Sequence, residues 1–233
     1  MNIYFLVEGR RTEKKVYPKW LGHLLPELEE TNDAFAVDDK KFYVFNGNGY
    51  PSILDNHLKN AVEDINKIDK YQYLVMCIDA DEVEVDFRIQ EVQSFIENEQ
   101  IELNESTEFA LIVQNRCIET WCLGNRRVFK RNPDEETLRE YIDFFNVSTD
   151  DPELMGKIDD FETHAQFHAS YLKEMLYERN IRYTKKNPNG VTDATYFNEL
   201  VERNRNTNHI ITFRSFLDFC DRVRERMEEE NAR

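Results

Sequence analysis

Residues 72–81 read QYLVMCIDAD, a strongly apolar run over 72–78 that stops on Asp79-Ala80-Asp81. A short run without polar alternation reads as a strand buried on both faces, the kind found in parallel sheets. Outward from it the theme repeats. NIYFLV (2–7) is a first strand ended by Glu8-Gly9, and KFYVFN (41–46) is a second, followed by the turn Gly47-Asn48-Gly49-Tyr50-Pro51. EFALIVQ (108–114) is a fourth. Helical spacing separates them: Val16, Trp20 and Leu24 after Thr12; Ile53, Leu54, Leu58, Ala61, Val62 and Ile65; then Ile89, Val92 and Ile96. This alternation predicts an α/β fold with a mostly parallel sheet and helices on both faces, joined by right-handed crossovers.

Beyond residue 126 the pattern turns helical. PDEETLREYIDFF, FETHAQFHASYLKEMLYERN, ATYFNELVERNRN and FRSFLDFCDRVRERMEEE each carry an apolar stripe, interrupted by the basic, turn-prone stretch 179–189. The expected organisation is an α/β core over 1–125 and a helical C-terminal extension over 126–233.

Composition narrows the class. The chain has 233 residues, 40% of them hydrophobic, enough for a sizeable core. No apolar run approaches the roughly 18 residues of a membrane span, and the N-terminus reads as a strand and not as a signal peptide. Four cysteines without CxxC spacing point to reduced thiols in a cytoplasm. A formal charge of −16 argues against a general nucleic-acid coat protein. It leaves room for local basic clusters: Arg10, Arg11, Lys14 and Lys15; Arg126, Arg127, Lys130 and Arg131; Arg179, Arg182, Lys185 and Lys186.

Carboxylates at strand ends carry the chemistry. In open parallel sheets ligands bind beyond the carboxyl ends of the strands. Glu8 follows the first strand there, and Asp79 and Asp81 follow the third. Three carboxylates brought together repel one another unless a cation relieves them, and a hard ion such as Mg²⁺ takes such oxygen ligands. A second reading stays open, in which Glu8 caps the next helix and the aspartates are turn residues.

VEGRRTE (7–13), with CIDAD (77–81) after the third strand, resembles the TOPRIM domain of topoisomerases, primases and OLD-type nucleases. The tail of the fourth strand, Asn115-Arg116-Cys117-Ile118-Glu119-Thr120-Trp121, is similar to an element of stand-alone TOPRIM-like proteins in bacterial defence loci, among them RloB-like proteins and the PARIS effector. Ile118 stands where that element has a Phe.

The resemblance implies a Mg²⁺-dependent (or Mn²⁺-dependent) nuclease acting on nucleic-acid phosphodiesters, RNA- or tRNA-directed in anti-phage defence. It makes Glu8 a metal ligand or general acid/base and Asp79 and Asp81 metal ligands, with Glu13 helping to bind a second ion. Glu119 is the next candidate ligand, with a structural hydrogen-bond acceptor as its other reading. Lys185 and Lys186 are assigned to phosphate or developing charge, and Arg10, Arg11, Lys14 and Lys15 to the nucleic acid. Solvated loop and helix-surface cations are the competing readings for these. No GxxxxGK[ST] loop is present, so an ATPase, where one is needed, would be a partner chain. A homodimer is left open. His164 and His168 have zinc-ligand spacing but no obvious third ligand. The rival class is a non-catalytic module that docks a partner ATPase, and a third possibility is a hydrolase of small phosphate esters.

Overall fold

The computed structural model describes residues 1–232. Its sheet is all parallel and has five strands: β1 (Asn2–Val7), β2 (Glu29–Thr31), β3 (Lys41–Asn46), β4 (Tyr73–Asp79) and β5 (Glu108–Gln114), in the order β2-β3-β1-β4-β5. The register pairs Val7 with Asn46 on one side and with Cys77 on the other, so β1 and β3 end level while β4 runs two residues further, to Asp79. The α/β, mostly parallel expectation holds. Strand β2 is silent in the sequence because Glu29-Glu30-Thr31 is a three-residue polar edge with no apolar signal.

The helices are α1 (Glu13–Leu24), α2 (Lys59–Ile68), α3 (Val85–Asn98), α4 (Ile118–Cys122), α5 (Glu136–Phe144), α6 (His164–Tyr177), α7 (Asn189–Thr192), α8 (Ala194–Asn206) and α9 (Ile211–Asn231). A π-helical turn, Ile53–Leu58, leads into α2. The segment 115–121, expected as the tail of a strand, is instead a break after Gln114 followed by α4. The backbone reverses there because Arg116 takes a left-handed φ of 66° and Cys117 caps the new helix.

Two compact units make up the chain. One comprises Met1–Ile78, Val85–Val113 and the chain from Phe216 onward; the other comprises Asp79–Glu84 and Gln114–Ser215. In the first unit β1 is buried along its whole length, and period-two alternation aims its side chains at different layers. Phe5 packs on Tyr17 of α1 and Phe219 of α9, with ring centroids 6.2 and 6.0 Å apart. Tyr4 faces the other way, against Tyr43 and Tyr71 and into a cavity shared with His57 and Ala61. Helices thus cover both faces. Truncating a ring as buried as Phe5 costs about 3–5 kcal/mol.

In the second unit, Trp121 of α4 donates its indole N–H to Thr212 Oγ1 at 2.7 Å and packs on Phe213. Thr212 in turn donates to the buried Glu153 at 2.5 Å. Burial pushes the Glu153 carboxyl up to about 7. Arg203, fully buried, donates to the carbonyls of Gly124, Val147 and Asp150.

Candidate functional site

The strand order sets the frame. From β1 the chain goes out to the edge strand β2 and returns to β3 beside β1, then crosses to build β4 and β5 on the other side. The switch point of this open sheet lies at β1 and β4, and their carboxyl ends are where such folds collect ligands. Glu8 follows β1, and its N–H continues the ladder to Cys77 O of β4 at 3.0 Å. Strand β4 ends on Asp79.

In the first unit Glu8 is held from the side by the turn after β3. Glu8 Oε1 accepts the Tyr50 N–H at 3.1 Å and Glu8 O accepts the Gly49 N–H at 2.9 Å. The turn needs its Asn-Gly pair, because Asn48 (φ 63°) and Gly49 (φ 86°) both lie in the left-handed region. Tyr50 is fixed from α3: its hydroxyl donates to Glu91 at 2.5 Å, and the Arg88 guanidinium lies 3.9 Å from its ring centroid and pairs with Glu91 at 2.6 Å. Glu13, buried in the first turn of α1, lays its carboxylate over Gly9, where a Cβ would collide with it. Arg10 Nε donates to Asn48 Oδ1 at 2.6 Å, while Arg11, Lys14 and Lys15 are exposed.

In the second unit the Asp79–Glu84 segment is tied down by its neighbours. Ala80 N–H donates to Gln114 O, and Asp81 N–H to Arg116 O. Arg116 returns hydrogen bonds to the carbonyls of Asp81 (3.2 Å) and Val83 (3.0 Å). Asp81 takes a left-handed φ of 54°. Glu82 accepts from the backbone N–H and Nδ1 of His164, both at 2.7 Å. Partial burial raises the Glu82 carboxyl, but the His164 hydrogen bonds outweigh it and hold the group below the usual range.

Glu119, on α4, is buried, accepts from Tyr183 Oη at 2.9 Å and stands 3.8 Å from Lys185 Nζ. Burial, then the Glu119 and Asp79 charges, push the Cys117 thiol well up; the Thr120 hydrogen bond and Lys185 act in the opposite sense. Asp79, Glu119 and Lys185 therefore all bear on one buried thiol. Lys185 and Lys186 sit exposed in the turn closed by the Thr184–Asn187 bridge.

His168 is a core histidine. Its Nε2–H donates to Gly156 O at 3.2 Å and Nδ1 accepts from Thr120 Oγ1 at 2.8 Å, while burial lowers its pKa to about 4. Of the positioning residues, Arg116 lies in the segment 115–121 quoted for its resemblance, while Tyr50, Arg88, Glu91 and Tyr183 carry no motif of their own. The turn after the second strand is the signal that points to Tyr50.

Among the described residues no group of three or more His, Cys, Asp or Glu side chains is gathered so as to hold a metal. The donor chemistry nonetheless suits Mg²⁺, a hard ion that keeps several waters and is held through one or two carboxylates together with substrate phosphates. Glu8 is a hydrogen-bonded carboxylate at the end of one strand, and Asp79, with Oδ1 fully buried, ends the other. Compared with protein-family models, with curated proteins and with solved structures, the chain matches none.

Proposed function

We propose that the chain is a Mg²⁺- or Mn²⁺-dependent nuclease of the kind the TOPRIM resemblance implies, cleaving nucleic-acid phosphodiesters as an RNA- or tRNA-directed effector of anti-phage defence, with an ATPase partner on another chain. What supports this reading is the register of β1 against β4, which pairs Val7 with Cys77, so that Glu8 follows the end of β1 and Asp79 closes β4 at a switch point of the parallel sheet. Glu8, Asp79 and Asp81 would hold the ion, and Glu13 and Glu119 are candidates for a second. When bound, the ion neutralises charge developing on the phosphoryl oxygens and makes water a better nucleophile.

The chain's own groups prepare the site. The Tyr50 N–H orients the Glu8 carboxylate. Arg116 and the Glu82–His164 pair fix the turn that carries Asp81. Lys185, beside Glu119, supplies positive charge for a phosphate, as do Lys186 and the Arg10, Arg11, Lys14 and Lys15 cluster.

The test is incubation of purified protein with Mg²⁺ and separate pools of tRNA, plasmid and single-stranded DNA. Wild type should cut at least one pool, and Glu8→Ala and Asp79→Ala should cut none while melting as cooperatively as wild type. Cutting retained by both variants overturns the assignment. A folded wild type that cuts nothing turns the reading to the partner-docking module.

A further inference from the structure

We propose that the cavity of about 520 Å³ lined by Arg126, Phe129, Arg131, Asn146, Ser148 and Thr149 is a binding subsite for a phosphate ester. That the ester belongs to a nucleic acid rests on the nuclease reading; the anion chemistry does not. The structure sorts the basic cluster of residues 126–131 into separate tasks. Lys130 is neutralised by Asp134 at 2.5 Å and Glu178 at 2.8 Å. Arg127 lines a different cavity, whose walls include Val128, Ile181 and Tyr196. Arg126 and Arg131 are left facing this one, and among its described lining residues none is acidic. In a chain of formal charge −16, a cavity lined by two guanidiniums, one of them in a long ion pair with Glu199, departs from the general surface.

The guanidiniums hang from a fixed backbone. Asn125 Oδ1 accepts the N–H groups of Arg127 (2.9 Å) and Val128 (3.2 Å), and Arg179 donates to Val128 O (2.9 Å) and Phe129 O (2.8 Å). These bonds order the backbone between Arg126 and Arg131 before binding, which reduces the ordering cost of association. On the facing wall, Asn146 Oδ1 accepts from Ser148 N–H and Oγ, which orders a loop rich in the side-chain types that commonly contact phosphate. The forked guanidinium matches phosphate oxygens in pairs.

A second observation concerns charge balance. Arg203 is fully buried and donates to three carbonyls and to His209. Burial first, and then the charge of Arg126, lower its pKa to about 10, against the pull of Asp151, Glu199 and Asp150. Arg126 thus stands in repulsion with a buried cation, and its own ion pair with Glu199 is long, at 3.6 Å. A bound phosphate would relieve that repulsion.

The test is fluorescence anisotropy of a labelled single-stranded RNA oligonucleotide on the full chain in EDTA, with inorganic phosphate and AMP as competitors. Wild type should bind, and Arg126→Ala/Arg131→Ala should bind about tenfold or more weakly. The slope of log affinity against log salt should shrink by about 0.7 for each phosphate that the variant no longer neutralises. Arg126→Lys/Arg131→Lys should restore part of the affinity, which separates a missing charge from a damaged fold. Competition by AMP well below the phosphate concentration needed assigns a nucleotide as the source; resistance to both assigns a strand. Either supports the subsite. Unchanged affinity in the alanine variant, or no binding by wild type, overturns it. The nuclease reading fails separately, when wild type binds in EDTA yet cuts nothing in Mg²⁺.

Discussion

The carboxylate of Glu13 lies over the Cα of Gly9, in the space that a Cβ on residue 9 would fill. Gly9 is not at positive φ, so the close approach and not the backbone requires glycine there. Alanine at such a position ordinarily adds about 0.4–1 kcal/mol through the unfolded chain. The group it would displace is the end of a flexible side chain, which swings aside at small cost. Gly9→Ala should therefore change unfolding free energy by less than about 1 kcal/mol, while cleavage falls by about a hundredfold for a carboxylate moved by about 1 Å. Urea denaturation and cleavage measured together check this; full activity in the variant would show that the position of Glu13 is immaterial.

Asp81 sits at φ 54°, a conformation that Asn tolerates and Ala does not. Asp81→Asn should melt within about 0.5 kcal/mol of wild type, and Asp81→Ala should be less stable by about 1 kcal/mol or more. Both should lose any stabilisation by Mg²⁺. Equal stability of the two variants would contradict the strain, and an intact Mg²⁺ response in both would remove Asp81 from the ligand set.

His168 and Glu153 act on stability in opposite directions over one acid window. The His168 pKa is lowered from 6.5 to about 4, mainly by burial. As pH falls through that range the unfolded imidazole takes a proton that the folded one refuses, so stability is lost, by up to about 3 kcal/mol. The Glu153 pKa is raised from 4.5 to about 7, again by burial. Its contribution is complete below pH 4.5 and is lost as pH rises towards 7, by a similar amount. Relative to wild type, His168→Gln should gain ground as pH drops from 6.5 to 4, and Glu153→Gln as pH rises from 4.5 to 7. Denaturant unfolding across pH reads both slopes, and offsets that do not vary with pH would contradict them.

The sheet is legible in the sequence because four of its strands are near-continuous apolar runs, of which β1 and β4 are buried along nearly their whole length and β3 and β5 in part. Strand β2 is not, since three polar edge residues carry no periodic signal. Helix α4 reads as a strand tail because its five residues directly follow the apolar run of β5 and are too few for the helical spacing of Ile118, Trp121 and Cys122 to stand out, and the reversal rests on the backbone of Arg116. The ends of β1 and β4 can be read from sequence because each apolar run stops on a carboxylate, Glu8 after one and Asp79 closing the other. The groups that position them cannot. Tyr50 reaches Glu8 across 42 residues and Glu91 across 41, and His164 reaches Glu82 across 82, distances over which spacing carries no information. The packing of Phe219 on Phe5 is hidden in the same way.

On the nuclease reading proposed above, Glu8 and Asp79 each help to hold Mg²⁺. Calorimetric titration of Mg²⁺ into wild type, Glu8→Gln and Asp79→Asn tests it most directly, because the isosteric changes remove charge and keep shape. Wild type should bind, with a matching rise in unfolding free energy of RT ln(1 + [Mg²⁺]/Kd), and each single variant should lose both the binding heat and the rise. Wild-type affinity retained by either variant, or no binding by wild type at millimolar Mg²⁺, would contradict it.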